Sequence, residues 1–235
     1  MNVKGSKVAE IYVKYFDKIL KSNATQEQLV QTQATRAHGI FKYIQAKDVF
    51  KLSYNQRLSK RLFMQKHPLN VSNEKFILAL FQRECGEEYV RMSDSILEDY
   101  QKSIHSLQIY NQENSMGYEP LPQSQEWQNI EFSVNVIANE YWPFDQEFST
   151  LGNLGWPFNE ITLSYEKHYQ RQERSHILSW QNDCSNCELV GHFSSGAYTF
   201  QVSTIQAMVL MVFNQLPKIS MTKLSNLLKI SNKVE

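Results

Sequence analysis

The chain has 235 residues, of which 42% are apolar and 20% charged, and its formal net charge is zero. This length allows a sizeable core in one large or two small domains, and the composition is typical of a globular rather than a disordered protein. No run of about 18 apolar residues occurs and residues 1–7 are polar, so we expect neither a membrane span nor a secretory signal. Three cysteines do not suggest a disulfide framework and fit a reducing compartment.

The zero net charge hides a strong asymmetry along the chain. Residues 1–67 carry 13 Lys and Arg against 4 Asp and Glu, whereas residues 68–126 carry 4 against 10. The remainder carries 7 against 10. Such segregation indicates either internal pairing between helical segments or a basic face for an acidic partner, and internal pairing or plain solvation is the favoured interpretation.

Apolar spacing of three and four residues predicts long helices in the first part of the chain, and no proline occurs in residues 1–67. A capping-box pattern, Thr25 with Gln28, predicts the start of the second helix, and a third helix is expected from about Asp48 to Gln65. The apolar stripe of the first helix comprises Val8, Ile11, Tyr12, Tyr15, Phe16, Ile19 and Leu20. The predicted buried face of the third helix comprises Phe50, Tyr54, Leu58 and Leu62.

Two further helices are expected before a linker. Ser72 is the predicted N-cap of a helix that Gly86 ends. The next helix is expected to reach Tyr110. Residues 111–125 are rich in Asn, Gln, Ser and Pro, which predicts a linker.

The pattern changes in the second half of the chain. Alternation of Phe132, Val134 and Val136 predicts a strand that Trp142-Pro143 ends. A helix is predicted over Phe158–Gln170, with Ile161, Tyr165 and Tyr169 on one face. Three short strands are predicted next, at His176–Trp180, Cys187–Phe193 and Tyr198–Val202.

The predicted C-terminal elements are helical. Thr204–Gln215 is strongly apolar and predicts a buried helix, and Leu224, Leu227 and Leu228 begin another after Pro217. A helix, a short link and a second helix are typical of the start of a winged-helix unit. The predicted fold class is therefore α+β and mainly helical, with a helical bundle over residues 1–115, a small α/β sheet domain over 126–203 and an incomplete winged-helix start over 204–235.

No catalytic, cofactor or metal site is expected. Cys184 and Cys187 with His176 and His192 form a possible zinc set, but the second close ligand pair is missing, so two cysteines at a polar hairpin turn is the simpler interpretation. No nucleophile elbow, phosphate-cradling loop or metalloprotease helix motif occurs. His38 is interpreted as a structural histidine.

Arg57, Lys60 and Arg61 stand at i, i+3 and i+4, which projects them from one side of a helix. They are interpreted either as a solvated face that pairs with the acidic helices downstream or as a docking surface for an acidic partner. Nucleic acid is a weaker alternative, because the aromatic residues of this segment face inward and do not interleave with the basic ones.

Several segments, taken in chain order, resemble the cullin homology region, the scaffold part of RING ubiquitin ligases. Any one of these segments is a weak signal, but the ordered set is specific and covers nearly the whole chain. The segments are Val13–Leu20, Phe41–Leu62 with its Lys47-Asp48-Val49-Phe50 run, Glu84–Tyr89, Asp99–Ser103, Phe132–Phe144, Tyr165–Trp180 and Val202–Asn214.

The resemblance implies a rigid, non-catalytic scaffold without a cofactor, located in cytoplasm and nucleus. It implies binding of a RING-box protein and, indirectly, of a ubiquitin-conjugating enzyme, with no membrane partner. In that family the RING subunit adds a strand to a sheet, which requires a free edge. Phe132, Val134 and Val136 are the predicted anchors of the strand nearest that edge, with a purely structural core role as the alternative.

The sequence also departs from the family pattern. The N-terminal repeats that bind substrate adaptors and the C-terminal lysine-bearing winged helix are missing, and Glu173-Arg174-Ser175 stands where the family has Gly-Arg-Lys. A fragment or truncated member is therefore expected. The alternatives are a truncated competitor of full-length scaffolds and a winged-helix nucleic-acid-binding protein, for which Lys223, Asn226 and Lys229 would line the recognition helix.

Overall fold

The structure, a computed structural model, describes residues 3–22, 26–64, 69–115, 130–141, 155, 157–182 and 185–228. Within these ranges it contains eight α-helices, one short 3₁₀ turn and one antiparallel β-hairpin, which confirms the mainly helical α+β class. The helices are α1 (Val3–Ser22), α2 (Glu27–Phe41), α3 (Lys47–Met64), α4 (Val71–Cys85), α5 (Glu87–Ser115), α6 (Phe158–Gln172), α7 (Thr204–Gln215) and α8 (Met221–Leu228). The strands are β1 (Asn186–Phe193) and β2 (Gly196–Ser203), and the 3₁₀ turn is Asn139–Tyr141.

The chain divides into two compact units. The first comprises Met1–Ser103 and Asn135–Asp145, and the second comprises Ile104–Val134 and Gln146–Glu235. Helix α5 therefore contributes its first part to one unit and its last part to the other. None of the described helices combines the length and the hydropathy that a bilayer-spanning helix needs.

Aromatic side chains from four helices form the core of the first unit. The ring of Phe81 lies 4.7 Å from Phe41, 5.1 Å from Phe50 and 5.2 Å from Phe16, measured between centroids. These distances and the mostly edge-to-face angles are the favoured geometry for aromatic pairs. The predicted buried face of α3 is confirmed, because all four of its residues are at most 7% exposed.

Only part of the predicted stripe on α1 faces the core. Ala9, Val13, Phe16, Ile19 and Leu20 are buried. In contrast, the stripe residues Val8, Ile11 and Tyr15 are exposed. The buried residues 9, 13, 16 and 20 follow three- and four-residue spacing. They therefore form one narrow face of α1, which packs against α2 and α3. The amphipathic helix is therefore confirmed, but only part of its apolar stripe is buried.

The helix ends were predicted with mixed success. Gly86 follows α4 with φ of 87°, where a side chain would be strained, so its predicted role is confirmed. The N-cap of α4 is Asn70, whose side chain accepts the N–H of Asn73 at 3.1 Å, and not Ser72. Helix α2 has Gln26 at its N-cap without a side-chain cap, and Thr25 lies outside the described residues.

Residues 130–138 belong to no helix or strand, so the strand predicted from Phe132, Val134 and Val136 is wrong. Side chains of α5 replace a strand partner. The Ser103 hydroxyl accepts the N–H of Val136 at 2.7 Å and lies 2.9 Å from the carbonyl oxygen of the same residue. Asp99 accepts the N–H of Ala138 at 2.9 Å. The strand predicted over His176–Trp180 is also not formed.

The second unit contains the hairpin and the last three helices. The other two predicted strands are confirmed as β1 and β2, whose register pairs Phe193 with Gly196 and Asn186 with Ser203. Helix α7 starts at Thr204 as predicted, because Ser203 and Gln206 form a capping box. It is less buried than predicted, since only Thr204, Ala207 and Met208 are buried in it.

Helix α6 was predicted almost to its bounds, with one change of face. Ile161, Tyr165 and His168 are its buried residues, whereas Tyr169 is only half-buried. Residues 161, 165 and 168 follow the i, i+4, i+7 spacing of a single helix face. His168 is therefore buried on the face where the sequence predicted Tyr169.

Candidate functional site

The most highly connected polar cluster lies inside the first unit and centres on Arg61. Its Nε and Nη2 donate to the two carboxylate oxygens of Glu74 at 2.7 and 2.9 Å, and its Nη1 donates to Asp17 at 2.7 Å. Tyr54 donates its hydroxyl to Glu74 at 2.8 Å. Arg57 donates to the other oxygen of Asp17 at 3.1 Å. This cluster, Asp17, Tyr54, Arg57, Arg61 and Glu74, is called the buried ionic network below, and it joins α1, α3 and α4.

The surroundings of Asp17 and Arg61 favour the charged forms of these two residues. Burial by itself raises the pKa of Asp17, but hydrogen bonds from Arg61 and Lys21 outweigh it and hold that pKa below its usual value. Burial likewise disfavours the Arg61 cation, yet the Glu74 carboxylate raises the pKa of Arg61 above its usual range. Burial and the adjacent Glu74 raise the pKa of Tyr54, so its phenol stays a donor.

The predicted docking set of Arg57, Lys60 and Arg61 is not one exposed surface. Arg61 is 1% exposed and bound to two carboxylates of this chain, so it is not part of an exposed surface. The docking role of the set stays a prediction. Arg57 is about one-third exposed and bound to Asp17, and Lys60 is exposed. Internal pairing, the favoured interpretation of the charge asymmetry, therefore accounts for the two arginines.

The predicted strand anchors lie in the segment of residues 130–138, which belongs to no helix or strand. Phe132 is half-buried, with its ring 6.3 Å from Tyr110 and 5.8 Å from Tyr165. Val134 and Val136 are also half-buried, and the backbone of Val136 is bound by Ser103 as described above. Their role as anchors of a partner's strand stays a prediction.

A Ser–His–Glu constellation that the sequence did not suggest lies in the second unit. His168, 1% exposed, places Nδ1 2.8 Å from Glu113 Oε2 and Nε2 3.4 Å from Ser106 Oγ. Nucleophilic catalysis would also need oxyanion donors near the serine. Ser106 lies within α5, whose backbone N–H groups are used by the helix itself. The cluster therefore joins α5 to α6. The helical spacing of Ile161, Tyr165 and His168 could have revealed its buried member.

No metal centre forms among the residues that the structure describes. Cys187 is half-buried with its sulfur 3.4 Å from the Thr204 hydroxyl, and Cys184 lies outside the described residues. His38 stacks on Phe41, and its Nε2 lies 3.9 Å from Glu84 Oε2. The ring of His38 therefore packs between α2 and α4.

The hairpin presents two free edges and one apolar face. In the described part of the chain the sheet has only β1 and β2, so each strand has an outer edge without a sheet partner. One face carries Leu189, Phe193, Tyr198 and Phe200, of which the three aromatic residues are 56%, 49% and 38% exposed. An isolated two-stranded hairpin is marginally stable in water, and a third strand would bury more of it.

Family comparison matches two consecutive domains of one family. Residues 1–106 match the cullin alpha solenoid domain, and residues 136–234 match the cullin alpha+beta domain. The second match covers the Ser103-bound segment, α6, the hairpin and the last two helices. Together the two matches follow the chain in the order of the observed units.

Individual relatives agree with these domain matches. The chain is 28% identical to Cullin-4 of Dictyostelium discoideum over 91% of its length, 27% identical to Cullin-4A of Homo sapiens over 92%, and 31% identical to Cullin-1 of Dictyostelium discoideum over 89%. It spans about a quarter of the length of these relatives, at 26% to 27% of each. From the two ordered domains and these relatives, we conclude that the chain belongs to the cullin family.

Proposed function

We propose that this chain is a non-catalytic scaffold piece of a cullin–RING ubiquitin ligase. It binds the RING subunit, which holds the ubiquitin-conjugating enzyme in position for protein ubiquitination. The observation that carries the proposal is the ordered pair of cullin domain matches over residues 1–106 and 136–234. A location in cytoplasm and nucleus belongs to the same proposal.

A scaffold must hold its partners at a fixed geometry, and the first unit has the features for this. Four aromatic rings interlock in its core, and the buried ionic network fixes α1, α3 and α4 through five charged or polar side chains. Close-packed interiors transmit force rather than yield to it. Neither feature forms an open cleft for a substrate, which favours a structural over a catalytic role.

The hairpin is the better candidate for accepting the RING subunit's strand. Strand addition uses unpaired backbone groups along a sheet edge, and β1 and β2 offer such edges. The originally predicted anchors at Phe132, Val134 and Val136 lie in a segment whose N–H groups at residues 136 and 138 are already bound to α5. We therefore assign the strand to the hairpin edge, with the aromatic face beside it.

The test is co-expression of the full chain with a cullin-type RING-box protein, followed by size-exclusion chromatography in moderate salt. Co-elution at equal stoichiometry is expected. A folded, monomeric chain that never co-elutes would contradict binding of the RING subunit. The similarity to cullins would then describe ancestry and fold only. A conjugating enzyme charged with ubiquitin, added to the complex, then separates a working scaffold, which accelerates discharge, from a competitor, which does not.

A further inference from the structure

The outer face of α1 carries an apolar stripe that no described residue covers. Val8, Ile11 and Tyr15 are 48%, 63% and 46% exposed. They follow one another at three- and four-residue spacing, so they line one side of the helix over about 10 Å. The core side of α1 is filled by other residues, so the stripe is a second apolar face of the same helix. We call Val8, Ile11 and Tyr15 the outer stripe.

A row of lysines runs along one margin of the outer stripe. Lys7, Lys14 and Lys18 are exposed, and at 100° per residue they project within about 40° of one another, next to Ile11. Lys21 differs from them because it is bound to Asp17 at 3.0 Å. Within the described residues the three lysines make no ion pair. Glu10, exposed three residues after Lys7 and four before Lys14, offsets only part of their charge, so this margin of the stripe keeps a net positive charge.

We propose that this face of α1 binds an acidic amphipathic helix of a partner protein. The spacing of the outer stripe is that of a ridge which packs into the groove of another helix. The lysine row determines the charge of that helix, since Asp or Glu opposite Lys7, Lys14 and Lys18 would compensate it. The apolar residues hold the partner helix in place, and the lysines select it.

Charge disfavours a second copy of this chain as the occupant, and geometry disfavours a membrane surface. A second copy of this chain would bring one lysine row close to another, and like charges repel. A membrane-surface helix has a broad apolar face with basic residues beside it. Here the stripe is a single row of three side chains along the helix. The larger apolar face of α1 is buried in the bundle core.

The experiment uses the full chain and a designed three-heptad peptide, labelled with fluorescein, that has Leu at its core positions and Glu beside them. A twin peptide with Lys in place of Glu is the charge control. Fluorescence anisotropy should show binding of the acidic peptide only. Ile11→Ser and the double variant Lys14→Glu, Lys18→Glu should each raise Kd by about tenfold or more. A photo-crosslinker at the peptide centre should react within residues 7–18.

Ile40→Ser is the matched control, because Ile40 is a 55% exposed isoleucine that belongs to α2 and not to the outer stripe. It should leave Kd unchanged, and urea unfolding of every variant should match the parent chain. Equal binding of both peptides, or an Ile11→Ser chain that binds like the parent, would overturn the proposal. So would binding to phosphatidylserine vesicles without binding to the acidic peptide. RING-box co-elution should persist in Ile11→Ser, which separates this proposal from the scaffold function.

Discussion

Arg61 joins three helices because its guanidinium is shared between two carboxylates. Glu74 takes one edge of the guanidinium in a bidentate contact, and Asp17 takes the remaining terminal nitrogen. Removing an ion from water costs several kcal/mol, about as much as its partners return when the geometry is good. The network therefore contributes specificity of packing more than net stability, and it becomes costly only when one partner is lost.

Arg61→Ala should destabilise the first unit by about 3–5 kcal/mol, because Glu74 would remain buried without its main partner. Lys60→Ala, the adjacent and exposed substitution, should change the free energy of unfolding by no more than about 0.5 kcal/mol. Urea unfolding followed by circular dichroism measures both. A loss below about 1 kcal/mol for Arg61→Ala would show that water or another cation replaces the guanidinium.

Asp17 should make the first unit sensitive to acid. Its pKa is lower in the folded state than its usual value, after hydrogen bonds from Arg61 and Lys21 outweigh the effect of burial. Its contribution is therefore complete above the unfolded-state pKa and is lost as the pH falls through the folded-state pKa. Unfolding midpoints in urea at pH 7 and pH 3 should differ less for Asp17→Asn than for the parent chain. An unchanged difference would contradict the role of Asp17.

The residue scale is also where prediction from the sequence was weakest. Helical spacing correctly placed Arg57, Lys60 and Arg61 within one turn of α3. It could not reveal that Glu74, 13 positions later, and Asp17, 44 positions earlier, meet Arg61. Long-range pairing of this kind depends on how the helices pack, which helical spacing by itself does not specify.

At the scale of secondary-structure elements, Gly39 and Gly86 have opposite backbone requirements. Gly39 lies inside α2 with nothing within 4 Å of the position that a Cβ would occupy. Gly86 also has open space, but its φ of 87° is a conformation that side chains rarely adopt. Space is therefore equal at the two sites, and only the backbone conformation differs.

Gly39→Ala should stabilise the chain by up to about 1 kcal/mol, because alanine is the better helix former and costs less conformational entropy on folding. Gly86→Ala should destabilise it by about 1 kcal/mol or more, because the positive φ is strained for alanine. Thermal unfolding of the two variants side by side measures the difference. Equal shifts, or shifts of reversed sign, would show that these conformations are not held in solution.

Element type was predictable where local signals agreed. The apolar run predicted the correct bounds for α7, and the Ser203–Gln206 capping box in the structure fits its start. Alternation alone was insufficient in the segment of Phe132, Val134 and Val136. That pattern predicts half-buried side chains, which are observed at all three residues. It does not tell whether another strand or the side chains of Asp99 and Ser103 satisfy the backbone.

At the scale of the whole molecule, each contact described for the aromatic core and the buried ionic network lies within α1 to α4. A fragment of residues 1–115, the predicted helical bundle, should therefore fold alone and unfold cooperatively. Circular dichroism and urea unfolding check this expectation. A fragment that is helical but melts without a cooperative transition would mean that residues 135–145, which belong to the same compact unit, are needed for its core.

The family was recognisable from the sequence because several short segments keep their order over nearly the whole chain. The surface that would bind a partner was harder to predict from the sequence. The predicted strand-accepting segment is held by α5, whereas in the described part of the chain the free sheet edges belong to the hairpin some 50 residues later. A sheet edge is a property of the folded backbone, and alternating apolar residues occur equally on paired and unpaired strands.

The most direct test of the scaffold proposal is hydrogen–deuterium exchange of the chain with and without a RING-box protein. Strand addition should protect amides of β1 or β2, within residues 186–203, because the new strand accepts their unpaired N–H groups. Residues 130–138 should change little. Protection centred on residues 130–138 would restore the original assignment of the acceptor strand. No protection in either segment would contradict strand addition to this chain.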